Sequence, residues 1–167
     1  QSEVGSQVIV QGKILTTVKA KDYYKLKSKL LPYVLESFRT LCANSDLILV
    51  EGAGSAAEVN LREGDIANMG FALEMDIPVV LVGDIDRGGV IASFVGIHSL
   101  LPESEINLIK GIIVNKFRGE PDLFQSGLDV IEEKTGFTSF GIVPFFPKAR
   151  FLPKEDSMAL DNQDKIE

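Results

Sequence analysis

LILVEGAGS, Leu47 to Ser55, is the stretch from which the fold is read. Four apolar residues run without alternation into a carboxylate, Glu51, and then into Gly52, Ala53, Gly54 and Ser55. A short run that is apolar on both faces fits a buried strand of a parallel sheet. Small residues directly after it allow a tight turn and the close approach of a ligand to the backbone. In open α/β sheets ligands bind just outside the carboxyl ends of the strands. A carboxylate at that place, above a phosphate site, suits a magnesium ion. The alternative is a strand-end turn carrying a solvated acid.

Composition sets the outer bounds. The 167 residues suit one domain, and 45% hydrophobic with 25% charged residues is ordinary for a globular chain. A net charge of −7 argues against non-specific nucleic-acid binding, which needs clustered Lys and Arg, and offers no basic face to an anionic membrane. No apolar run reaches the roughly 18 residues of a membrane span, and no signal peptide is visible at the start. The single Cys42 excludes an internal disulfide framework and fits a reducing, cytoplasmic compartment. It is read as a buried structural cysteine near a helix end. The chain begins at Gln1 and closes on DNQDKIE, so it is expected to be part of a longer enzyme.

Outward from Leu47 the pattern alternates. Val8-Ile9-Val10 is a short edge strand or an extended loop. Tyr23, Leu26, Leu30, Val34, Phe38 and Leu41 recur at helical steps from Lys21 to Ala43, with Asp22 as cap and Pro32 expected to kink or divide the run. After Leu47–Glu51 come a helix from about Asp65, a second strand PVVLVGD through Asp84, a helix from about Val90 to Leu101, a third strand IKGIIVNK, a helix from about Asp122 to Thr135, and a fourth strand SFGIVP ending at Pro144. The tail beyond is expected to be extended. Alternating helices and strands predict an α/β fold: a mostly parallel sheet with helices on both faces and right-handed crossovers.

A parallel sheet brings all four strand ends to one edge. Strand two ends in Gly83-Asp84-Ile85-Asp86-Arg87-Gly88-Gly89 before a helix. There glycine N–H groups and a helix start favour an anion, and Arg87 can fork onto a carboxylate or phosphate. Asp84 and Asp86 could orient Arg87 or meet a metal, and the alternative is a capping loop with surface charges. Strand three ends in Asn115-Lys116-Phe117-Arg118, where an amide can pair with a base edge and the lysine stem can lie along the base. His98 lies within a helix, and a lone histidine makes no histidine metal cluster. No G-x-x-x-x-G-K-[ST] loop occurs in these residues. A nucleotide site would therefore lack its phosphate grip here.

The segments VEGAGSAAEVNLREGDIANMG, PVVLVGDIDRGGVIASFVG, KGIIVNKFRG and GIVPFFP, spanning about Gly5 to Ser157, resemble the cobyric acid synthases. These are glutamine-dependent amidotransferases of cobalamin biosynthesis. More distantly the chain is similar to dethiobiotin synthetase and cobyrinic acid a,c-diamide synthase. The resemblance implies a P-loop NTPase fold of dethiobiotin synthetase type, lacking its N-terminal P-loop unit. Residues 1–160 would be a partial ATP-dependent synthetase domain, and 161–167 a linker or tail towards a glutaminase domain outside this chain.

The resemblance further implies that ATP and magnesium activate the b, d, e and g carboxylates of adenosylcobyrinic acid a,c-diamide as acyl phosphates. Ammonia from glutamine then displaces the phosphate. On that basis Glu51 is the magnesium ligand, and Glu51, Asp86 and Arg87 are the catalytic group. Asn115, Lys116 and Pro144 border the nucleotide. Asn60, Arg62, Arg87, Gly88 and Gly89 face the corrinoid. A homodimer is left open. The 167-residue chain alone is expected to be inactive. A different class with the same fold, a switch-type nucleotide binder such as a partition ATPase, is the alternative.

Overall fold

The structure is a computed structural model that describes residues 6–151. Two strands, β1 (Ser6–Val10) and β2 (Lys13–Val18), pair antiparallel. They are joined by Gln11 and Gly12, both at positive φ (48° and 77°), as a two-residue hairpin turn requires. Val8-Ile9-Val10 is thus a strand of its own small sheet.

The long helix α1 (Ala20–Cys42) follows. Pro32 sits inside it without dividing it. Leu30 and Leu35 are buried on its inner face, and Phe38 meets Phe71 edge-on at 5.2 Å. Cys42 is exposed, contrary to the buried reading, because it lies in the final turn, past the packed stripe.

Beyond α1 the chain departs from expectation. Leu47–Glu51 forms no strand. The physical reason is the lack of a partner. An apolar strand in a parallel sheet needs neighbours to take its N–H and C=O groups, and among the described residues no strand pairs with it. Leu47 and Leu49 are accordingly 76% and 87% exposed.

The main sheet has three parallel strands in the order β3 (Val79–Asp84), β4 (Ile109–Phe117), β5 (Ser139–Pro144). Helix α2 (Met69–Met75) precedes β3, and α3 (Val90–Leu100) with the short α4 (Glu103–Ile106) joins β3 to β4. Helix α5 (Gln125–Thr135) joins β4 to β5. The helix expected from Asp65 begins later, at Met69. Asp65 spends its carboxylate on a turn instead, accepting from the N–H groups of Ala67, Asn68 and Gly70. Pro147–Phe151 is a 3-10 turn, not an extended tail, and the expected linker at 161–167 lies outside the described residues.

The core sits between β4 and the helices. Ile112, Val114, Phe94 and Ile131 are almost fully buried. Register places Leu81 beside Ile112 and Gly83 beside Val114 on the covered face. Val80 and Val82 alternate to the opposite face and are 42% and 60% exposed. Among the described residues no helix is long and apolar enough to cross a membrane.

Candidate functional site at the carboxyl edge of the sheet

The parallel register sets Asp84 beside Asn115, and Phe117 beside Pro144, so three strand ends open on one edge. From β3 the chain turns through a 3-10 segment, Ile85–Arg87, stabilised by Asp84, whose Oδ1 accepts from the Asp86 N–H at 3.1 Å. Gly88 and Gly89 follow at φ 76° and 72°, a conformation that disfavours a side chain. No atom lies within 4 Å of where a Cβ would stand on either, so the space over this turn is open. Helix α3 then starts at Val90, with its N–H groups unsatisfied towards the same edge.

The acids of the turn are already partnered. Lys116 Nζ donates to Asp84 Oδ2 at 2.6 Å. Arg118 Nε and Nη2 fork onto Asp86 at 2.6 and 3.1 Å. Both carboxyls are held below the usual carboxylate range: Asp84 first by the Lys116 hydrogen bond, Asp86 first by the Arg118 hydrogen bond. The same fork raises the Arg118 guanidinium. Arg87 has only a loose contact with Asp84, 3.5 Å, and its side chain is 86% exposed. It is the cation of this group with an open face.

Asn115 and Lys116 are joined locally. Lys116 adopts φ 64°, rare for a residue with a side chain, and its N–H donates to Asn115 Oδ1 at 2.8 Å. This fixes the Asn115 carboxamide. Its NH2 has no partner among the described residues, and one oxygen lone pair is still available.

Among the described residues, no hydrogen bond or ion pair ties Glu51, Asn60 or Arg62 to this group. Glu51 is exposed and has no hydrogen bond or ion pair among the described residues. Its turn is nevertheless built: Asn68 Nδ2 donates to the Ala53 carbonyl at 2.7 Å, and a side chain at Gly52 would collide with Asn68. Asn60 is exposed in the 3-10 turn Val59–Leu61. Arg62 is ion-paired with Glu105 of α4, whose carboxylate is buried, and also reaches the Ala56 carbonyl. A crevice of about 240 Å³ lies beside it, lined by Ser55, Glu58, Arg62 and Asn68 among others.

Magnesium fits this donor set only in a particular way. Among the described residues no cluster of three His, Cys, Asp or Glu side chains could hold a metal. Asp84 and Asp86 are committed to cations. Glu51 offers an unpaired carboxylate, which matches a magnesium ion completed by phosphate oxygens and water rather than by a protein cage. His98 is a packing residue, edge-on to Phe137 at 5.4 Å.

Sequence reasoning passed over Arg118, Phe145 and Asn68. For Arg118 a signal existed. Asp84-x-Asp86 and Lys116-x-Arg118 are matched acid and base pairs at the ends of adjacent strands, and parallel pairing makes them meet. For Asn68 there was none, because its partner is fifteen residues away in an irregular loop.

A parallel sheet flanked by helices, with a charged, glycine-bearing carboxyl edge, fits the α/β fold class of the P-loop NTPases. A family described as "AAA domain" matches residues 16–150, and the chain belongs to that family. More particularly, the chain is similar to the cobyric acid synthases. It is 60% identical over 161 residues to that of Methylorubrum populi, 59% identical over 161 residues to that of Allorhizobium ampelinum, and 58% identical over 160 residues to that of Azorhizobium caulinodans. Each match covers 96% of this chain and 33% of the relative, so the chain spans about a third of the length of the relatives it matches. No solved structure matches it.

Proposed function

We propose that the chain is the central part of an ATP-dependent amidoligase domain that activates carboxylates of a corrinoid, adenosylcobyrinic acid a,c-diamide, for amidation at b, d, e and g. The observation that carries the reading is the 60% identity to a cobyric acid synthase over 96% of the chain. The edge chemistry is compatible with it. Ammonia would come from glutamine through a glutaminase domain of the full-length protein.

In this reading the carboxylate oxygen of the substrate attacks the γ-phosphorus of ATP and ADP leaves. Ammonia then displaces phosphate from the acyl phosphate. Phosphoryl transfer of this kind depends mainly on positioning and on neutralising charge. Arg87, with its open guanidinium, holds the carboxylate or the phosphoryl oxygens over the Gly88-Gly89 turn. Asp86 keeps that turn in place. Asn115 donates its NH2 to the base, with the Lys116 stem and Pro144 bordering the ring. Asn60 faces the corrinoid side, and Arg62, held on Glu105 and the Ala56 carbonyl, borders that side. Magnesium, bound by Glu51, would supply charge neutralisation at the phosphates.

The test is the full-length protein assayed for ATP- and glutamine-dependent amidation of adenosylcobyrinic acid a,c-diamide, beside Glu51→Gln. Amidation by the parent, reduced at least about 100-fold in the variant, is expected. A parent without amidating activity overturns the function, and an unimpaired Glu51→Gln overturns the metal assignment.

A further inference from the structure

We propose that Arg118 is the positioning residue of the carboxyl edge: by clamping Asp86 it sets the Ile85–Gly89 turn so that Arg87 projects over the site. The inference rests on the role given above to Asp86 and Arg87. It arises from a contact pattern that no other side chain on the edge shares. Arg118 forks onto Asp86 through Nε and Nη2, at 2.6 and 3.1 Å. The guanidinium carbon Cζ of the same side chain lies over the Phe145 ring, 3.5 Å from its centroid. Phe145 is itself placed by its N–H, which donates to the Phe117 carbonyl at 2.7 Å. One planar group therefore ties together the segments that follow β3, β4 and β5.

An ordinary exposed ion pair does little, because two mobile side chains lose entropy to meet in water. Two features separate this one from that case. The fork fixes direction as well as distance, and the aromatic face below it holds the guanidinium plane. Lysine could supply the charge but neither the fork nor the stacked plane. Lys116 on Asp84 forms a second tie, so the turn is gripped at both of its acids. Arg87, the residue directly after Asp86, is left with its side chain 86% exposed and only a 3.5 Å contact to Asp84. A loop held at the residue directly before an exposed cation is a means of presenting that cation. In near-attack geometry, displacement by about 1 Å costs on the order of 100-fold in rate.

The experiment uses the full-length protein with Arg118→Ala, Arg118→Lys, Asp86→Asn and the double variant Asp86→Asn/Arg118→Ala. Expected is a fall in kcat of about 10- to 100-fold for Arg118→Ala, with KM for ATP changed less than about twofold. Arg118→Lys should recover only part of the loss. The double variant should be no slower than the slower single variant, since both remove one clamp. Amide exchange gives a reading independent of turnover. The Gly88 N–H, bonded to the Ile85 carbonyl, should exchange at least about tenfold faster in Arg118→Ala while the β4 amides stay protected. Unchanged kcat in Arg118→Ala, full activity in Arg118→Lys, or additive single effects would overturn the clamp. If the parent does not amidate at all, the proposed function fails. Exchange at Gly88 then decides the clamp alone, with unchanged exchange refuting it.

Discussion

At the scale of single residues, charge pairing separates groups that act from groups that hold. Asp84 and Asp86 read alike in the sequence as acids on a loop, but each is matched to a cation from the next strand end. Their carboxyls lie below the ordinary value of 3.8 when folded. A lowered folded-state value means that the pairs stabilise the protein above about 3.8, and that this contribution is lost as pH falls through the lowered values. In a carbon-detected NMR titration the Asp86 carboxyl is therefore expected to titrate below 3.8 and to move back towards it in Arg118→Ala. A midpoint at or above 3.8 in the parent would contradict the pairing. The Arg62–Glu105 pair carries a larger penalty if broken, since Glu105 is only 2% exposed. Removing the carboxylate leaves a cation in a largely dry place. Glu105→Ala is expected to cost roughly 3 kcal/mol, read from the urea midpoint, while Glu105→Gln keeps a hydrogen-bonding partner and costs less. Equal midpoints for Glu105→Ala and the parent would show that water already screens Arg62.

At the scale of elements, legibility followed how local the cause was. Strands β3, β4 and β5 and helices α3 and α5 were readable because apolar runs of strand length and helical periods alternate along them. Their ends were readable through Gly and Pro. The N-terminal hairpin was not, since Gln11 is an unusual residue at positive φ and gives no turn signal. Asp65 was visible as a cap, but its carboxylate takes three N–H groups across a longer turn and so delays α2 to Met69. Pro32 was expected to kink or divide the run; α1 is not divided at it, held from Leu30 to Phe38 by tertiary packing that outweighs one lost hydrogen bond. Gly83 shows what sequence cannot reveal. It lies mid-strand with φ unremarkable, yet a Cβ there would stand 2.5 Å from Val90 Cγ2 and 2.6 Å from Phe94 Cζ. It lets α3 dock closely against β3, and that docking places the Gly88-Gly89 turn. Gly83→Ala is expected to destabilise by about 1–3 kcal/mol through overpacking, with the urea midpoint lowered at unchanged slope. A variant as stable as the parent would mean that α3 shifts freely, and the turn with it.

At the scale of the whole molecule, the candidate site is split. One part, from Asp84 to Pro144, is assembled by a paired sheet. The other, Glu51 and its turn, follows a segment that finds no partner among the described residues. The segment at Leu47 was read correctly as apolar and incorrectly as a paired, buried strand, because apolarity on two faces specifies burial without specifying the neighbour. The same division governs binding. Micromolar affinity for Mg-ATP corresponds to about 8 kcal/mol, most of which a triphosphate must draw from concentrated positive charge. In the 167-residue chain Lys116 and Arg118 are neutralised by Asp84 and Asp86, which leaves Arg87, and no G-x-x-x-x-G-K-[ST] sequence occurs. The α3 start adds a dipole but not a full charge. Titration calorimetry of the 167-residue chain is therefore expected to give Mg-ATP binding weaker than micromolar, and the full-length protein to bind it tightly in the same buffer. Micromolar binding by the short chain would show that the carboxyl edge grips phosphate by itself, and would require the Lys116 or Arg118 pair to open when the nucleotide arrives.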